Sequence, residues 1–143
     1  MVIFAMGCSV DGFISDRDGS FAWGAPDDEL FAVHLERVSS LGGYVLGRRL
    51  YETMLPWEHD PAMRGSQLHA QFADVWTALP KVVFSRTLDG VSGNARLATG
   101  TLADELAAMV GPDDAAVEIG GADLAGQAIE QGLVDELDRK SVV

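Results

Sequence analysis

The sequence is short of the residues on which several function classes depend. Cys8 is the only cysteine among 143 residues, so no intramolecular disulfide forms and no cysteine cluster is available for a structural zinc site. A reducing, cytoplasmic setting is the simplest expectation. Basic residues are scarce as well: ten Lys and Arg stand against 22 Asp and Glu, a net charge of −12. Such a field repels nucleic acid and anionic membrane unless the few cations are gathered in one place. Long apolar runs are missing too. Met1 to Met6 is apolar but far too short to span a bilayer, and it lacks the basic lead and small-residue cleavage site of a secretory signal.

Absent motifs narrow the chemistry further. There is no G-x-G-x-x-G turn after the first strand, no G-x-x-x-x-G-K-[ST] loop, no G-x-S-x-G elbow, and no H-x-E with C-x-x-C. The ordinary dinucleotide fold, the P-loop, the serine hydrolases and the zinc deaminases are thereby set aside. His34, His59 and His69 form no i, i+4 pair, so no metal site is expected. Cys8 has no basic neighbour in sequence and reads as buried and inert.

What is present is an alternation of strands and helices. Residues 2–6 read as a buried strand that continues through a polar stretch into a short extended piece, Phe13 to Ser15, before the turn at Asp16 to Gly19. Phe31, Leu35 and Val38 mark an amphipathic helix with an acidic first turn, ending near Gly42-Gly43. Tyr44 to Leu46 form a strand that passes through Gly47 into a helix stopped by Pro56. Residues 57–65 read as a loop. Leu68, Phe72, Val75, Trp76 and Leu79 keep helical spacing up to Pro80, and Lys81 to Phe84 are a strand. Trp57, Phe72 and Trp76 are assigned to the core. A weaker strand over 95–98 leads to a helix capped by Thr101, and a strand built on Ala115, Val117 and Ile119 runs into Gly120-Gly121-Ala122 and another helix. A last strand begins at Leu133. One α/β domain over 1–143 is expected, with a largely parallel sheet and helices on both faces; a chain of this length buries roughly 68–70% of its unfolded surface.

In such sheets ligands lie beyond the carboxyl ends of the strands. Three strands end there in turns suited to an anion: Gly47 with Arg48 and Arg49, Ser85 with Arg86, and Gly120-Gly121-Ala122. Each turn alone is more often just a tight turn. Together they offer helix N-termini for a pyrophosphate and guanidinium groups for a ribose 2′-phosphate, which favours NADPH over NADH.

Taken in order, Ser9-Val10-Asp11-Gly12-Phe13-Ile14, Leu46-Gly47-Arg48-Arg49-Leu50-Tyr51-Glu52, Val83-Phe84-Ser85-Arg86-Thr87-Leu88, Ile119-Gly120-Gly121-Ala122 and Gly132-Leu133-Val134-Asp135-Glu136-Leu137 resemble the ordered motifs of the dihydrofolate-reductase-like superfamily. The likeness is to its bacterial branch related to the reductase domain of the bifunctional riboflavin-biosynthesis deaminase-reductase. It spans essentially the whole chain. The resemblance implies a three-layer fold with a mixed, mostly parallel sheet and an NADPH-dependent reductase acting on a pterin-like or aminopyrimidine substrate. It places Gly47, Arg48 and Arg49 on the cofactor phosphates, Ser85 and Arg86 at the adenosine end, Gly120, Gly121 and Ala122 against the dinucleotide, and Ile14 beside the nicotinamide. Asp11, Trp23 and Asp28 fall on the substrate side, with Asp11 and Asp28 as the candidate catalytic carboxylates. Read from the residues alone, Asp28 also suits a helix-start carboxylate answering the dipole, and Asp11 a turn residue.

Two departures from that pattern stand out. Leu50 replaces a family threonine and removes one phosphate donor. The closing C-terminal hairpin of the family is missing, so an unpaired sheet edge is expected to pair with a second copy as a homodimer or to lie partly disordered. A nucleotide-binding protein without turnover, or a shortened copy active only with a partner chain, is the alternative to the reductase.

Overall fold

A computed structural model describes residues 1–110 and 114–141. Its strands are β1 (Val2–Cys8), β2 (Gly43–Gly47), β3 (Lys81–Phe84), β4 (Ala95–Leu97), β5 (Val117–Gly120) and β6 (Glu136–Ser141). The helices are α1 (Asp28–Ser39), α2 (Arg48–Met54), α3 (Pro56–His59), α4 (Gln67–Ala78), α5 (Leu102–Met109) and α6 (Ala122–Glu130), with 3-10 turns at Ala22–Gly24 and Pro61–Arg64. The strands form one sheet in the order β4-β3-β2-β5-β1-β6, and every pairing among the described residues is parallel.

Side chains alternate across this sheet, and each face is covered. Val45, Val82, Val117 and Ile119 pack with Leu102 and Leu106 of α5 and Leu124, Ala125 and Ala128 of α6. Tyr44, Leu46 and Val83 point the other way, onto Phe31 and Val38 of α1, Tyr51 of α2 and Phe72 and Trp76 of α4. The result is the three-layer α/β architecture expected from the alternation of elements. Capping explains where three of the helices begin. Asp27 accepts from the Leu30 amide, Ser66 from His69, and Thr101 from Asp104 in a reciprocal capping box.

The expected elements differ from the observed ones in four places. β1 runs on to Cys8, and Phe13 to Ser15 are not a strand. Residues 57–65 are largely the short helical turns α3 and Pro61–Arg64, held by proline at their first positions and by Asp60 accepting from the Ala62 amide. The last strand starts at Glu136 rather than Leu133, because Leu133 and Val134 are packed against the α5–α6 core. Residues 136–141 then pair in parallel with β1 from Ile3 to Cys8, making β6 an edge of the sheet among the described residues. Val142 and Val143, the end of that segment, lie outside the described residues.

Among the described residues no helix is long and apolar enough to cross a membrane. Nor do any three His, Cys, Asp or Glu side chains gather there in a way that would hold a metal ion.

Candidate functional site

Parallel pairing brings the carboxyl ends of β3, β2, β5 and β1 to one edge of the sheet. Gly47 is level with Phe84, and Leu46 with Gly120, so the three anion-suited turns emerge side by side. Gly121 has φ 94°, a conformation that side chains rarely adopt, and a Cβ there would stand 3.9 Å from the Gly47 amide nitrogen. A Cβ on Gly47 would meet nothing within 4 Å. Helices α2 and α6 both start at this junction, with Gly47 and Gly121 as N-caps and no side chain capping either. Ala122 opens α6.

Three cations flank the junction. Arg48, Arg49 and Arg86 are exposed, and none of them takes part in an ion pair among the described residues, although the molecule carries a large acidic excess. Ser85 folds the turn beneath Arg86: its hydroxyl oxygen accepts from the amides of Thr87 at 3.1 Å and Leu88 at 3.0 Å. Its own O–H remains available to donate.

The residues of the expected substrate side, together with Ile14 of the expected cofactor side, follow the end of β1 or open α1. Since β1 extends past β5 and is backed there by β6, it carries the Ser9–Phe13 loop outward. Ser9 organises that loop, with its Oγ accepting from the Phe13 amide at 2.9 Å and donating to Asp11 at 2.5 Å. Arg139 of β6 ties it down from beside, donating to the carbonyl of Val10 at 2.6 Å and, from Nε, to the Cys8 sulfur at 3.1 Å. Cys8 is buried, and its basic neighbour comes from the far end of the chain rather than from adjacent sequence. Trp23 lines an open cleft of about 480 Å³ with Ser9, Phe13, Ser15, Asp16 and Arg17. Ile14 follows Phe13 and is exposed. Asp28 is exposed on the first turn of α1, where a carboxylate complements the helix dipole. Neither Asp28 nor Asp11 lines this cleft.

A second cavity, of about 160 Å³, lies on the α1 side of the sheet and was not anticipated from the sequence. Its lining includes His34, Arg37, Tyr44, Leu50 and Glu118. Glu118 is 2% exposed; its carboxylate accepts from Tyr44 Oη at 2.9 Å and from Arg37 Nε at 3.0 Å. Burial pushes the Glu118 carboxyl above its usual range, with Arg37 and Tyr44 opposing. Burial, then the Glu118 charge, pushes the Tyr44 phenol well above 10, so that it stays protonated. His34 is held below its ordinary value by burial and by Arg37, whose guanidinium lies 3.3 Å from Nδ1. The sequence did carry a signal, a carboxylate between Val117 and Ile119 in an otherwise apolar buried strand. The cavity adjoins the glycine junction directly: a Cβ on Gly120 would run into the Leu50 side chain and lie 2.9 Å from Tyr44 Oη.

A family model described as the RibD C-terminal domain matches residues 1–138. Among solved structures, a protein of Shewanella sp. PV-4 described as a riboflavin biosynthesis protein superimposes with a TM-score of 0.68 at 21% identity, covering 99% of this chain and 77% of that one. A Thermotoga maritima diaminohydroxyphosphoribosylaminopyrimidine deaminase/5-amino-6-(5-phosphoribosylamino)uracil reductase gives 0.56 at 13% identity, over 91% of this chain but 41% of that one. At these identities the two structures share the fold. Comparison with curated proteins finds no match.

Proposed function

The chain belongs to the RibD C-terminal domain family, and from that premise we propose that it is an NADPH-dependent reductase acting on a C=N or C=O of a pterin-like or aminopyrimidine substrate. The observation that carries this reading is the junction where Gly121 approaches Gly47 beside three arginines outside any described ion pair. Side chains on either glycine would stand where a dinucleotide backbone needs close approach. The uncapped starts of α2 and α6 suit the pyrophosphate, and Arg48 and Arg49 supply charge beside it. Arg86, on a turn braced by Ser85, is assigned to the 2′-phosphate. NADPH, when bound, supplies the hydride.

Leu50 lowers the cofactor affinity expected of this site, because it is a partly buried apolar residue of the α1-side core and brings no hydroxyl to the junction. The second reading is a nucleotide-binding protein without turnover. Oxidation of NADPH with aminopyrimidine and pterin substrates separates the two readings. Binding with no turnover on either class would leave only the second.

Arg86→Ala tests the cofactor assignment. A lost charge-assisted contact is worth about 1.5–3 kcal/mol, so NADPH affinity should fall roughly 10–100-fold in titration while NADH affinity stays within about twofold. Equal losses for both nucleotides would remove Arg86 from the 2′-phosphate.

A further inference from the structure

Gly120 ends β5 immediately before the Gly121 turn, and what excludes a side chain from it lies on the α1 side of the sheet. A Cβ there would run into Leu50 Cδ2 and stand 2.6 Å from Tyr44 Cε1 and 2.9 Å from Tyr44 Oη. The Tyr44 ring and the Leu50 side chain thus occupy the place that a Gly120 side chain would take. Leu50 belongs to the first turn of α2, and Gly120 leads through Gly121 into α6. One tyrosine ring therefore stands beside the starts of both helices that lack a side-chain cap. Packing alone does not fix that ring. Trp76 meets it edge-on with centroids 5.3 Å apart, but the ring also lines the cavity of about 160 Å³, which leaves it room to turn away.

The hydroxyl supplies the missing restraint. Tyr44 and Glu118 are register partners on β2 and β5, and Tyr44 Oη donates to Glu118 Oε1 at 2.9 Å. The second oxygen, Oε2, accepts from Arg37 Nε at 3.0 Å, so the carboxylate is gripped from two elements. Arg37 is itself placed between His34 of its own helix and Asp138 of β6. A carboxylate at this buried strand position costs desolvation that an apolar residue would not, which points to a positional use. We propose that Glu118, oriented by Arg37, is a positioning residue: through the Tyr44 hydroxyl it holds the ring against Gly120 and so fixes the Gly120–Gly121 turn beside Gly47. Leu50 is the α2 side of the same contact. The assignment rests on the reductase reading, because the dinucleotide is assigned to this turn.

The test pairs NADPH titration with hydrogen exchange of the unliganded protein, in the wild type, Tyr44→Phe, Glu118→Gln and the double variant. Tyr44→Phe keeps the ring and removes only its hydroxyl. Exchange over residues 117–124 should rise about tenfold, while that of α5, on the other face of the sheet, stays within about twofold. NADPH should bind about tenfold more weakly, since only part of the population then keeps the turn in place. Glu118→Gln should also weaken NADPH, and the double variant should bind no more weakly than Tyr44→Phe, because the carboxylate acts through the hydroxyl. Tyr44→Phe leaves Glu118 paired with Arg37, so it decides the matter alone if the Glu118 variants fail to fold. Where the wild type binds NADPH, three results overturn the positioning role and leave the reductase reading in place: unchanged NADPH affinity in Tyr44→Phe, unchanged exchange over 117–124, or an equal rise in α5. Losses that add in the double variant do the same. Faster exchange confined to 117–124 in Tyr44→Phe, with no NADPH binding by the wild type, sustains the hold on the turn and overturns the reductase reading.

Discussion

At the scale of single residues, the informative groups are charges placed where the fold has little water. Lys81 and Glu58 meet at 3.1 Å with side chains 1% and 3% exposed, and Lys81 also donates to the Leu79 carbonyl and lies 4.9 Å from the centre of the Trp76 ring. Burial pushes the Lys81 ammonium below its ordinary pKa, and Glu58 opposes that shift. Because removing one member strands the other, Lys81→Met should cost about 3–5 kcal/mol in urea unfolding, and adding Glu58→Met should recover most of it. A single variant as stable as wild type would mean that Glu58 is not held as a buried charge. Glu105 answers to a different test. It accepts from the amides of Thr99 at 2.7 Å and Gly100 at 3.0 Å and from Arg96, and the Arg96 hydrogen bond is the main reason that its pKa is lowered to about 2. The folded pKa lies below the ordinary value of 4.5, so this stabilisation is complete above about pH 4.5 and is lost as pH falls toward 2. Glu105→Gln should therefore be about 1.5–3 kcal/mol less stable than wild type at pH 7, and the gap should close between pH 5 and pH 2.5. A constant gap over that range would contradict the assignment.

At the scale of elements, the sequence was readable where burial alone decided the outcome. Val45, Val82 and Ile119 sit in strands covered on both faces, and Phe31, Val38, Phe72 and Trp76 keep a helical period, so pattern and structure agree there. The reading failed where long-range partners decide. Leu133 and Val134 have strand-forming composition but belong to a core that only the α5–α6 packing creates, so β6 starts later. Pro56 to Arg64 is too short and polar for periodicity to register its two helical turns. In the candidate site, the turns at Gly47, Ser85 and Gly121 were legible because glycine and arginine mark them. The Glu118–Tyr44–Arg37 group was not, since its members come from β5, β2 and α1: Tyr44 and Glu118 are register partners in the parallel pairing, and Arg37 reaches Glu118 from the helix. The junction between β5 and α6 makes its own prediction. Gly121→Ala forces a side chain into φ 94° and over the Gly47 amide, at about 1–3 kcal/mol in backbone strain. NADPH affinity should drop at least tenfold in a variant that still unfolds cooperatively; unchanged affinity would place the dinucleotide elsewhere.

At the scale of the whole molecule, a net charge of −12 is broken at one sheet edge by Arg48, Arg49 and Arg86. Such a local reversal suits the anionic cofactor we propose, in a protein whose overall field repels anions. The same topology puts the α1-side cavity next to the glycine junction, because Leu50 and Tyr44, which line the cavity, are also the side chains that a Cβ on Gly120 would meet. β6, the edge strand that ties the Ser9–Phe13 loop through Arg139, is the surface we propose for pairing with a second copy. The most direct measurement is amide chemical-shift mapping with NADPH on the isotopically labelled protein. With the cofactor at the glycine junction, the largest shifts fall on Gly47, Arg48, Arg86, Gly120 and Gly121. Shifts confined to α5 and β4, or no shifts at saturating NADPH, would remove the cofactor from that junction.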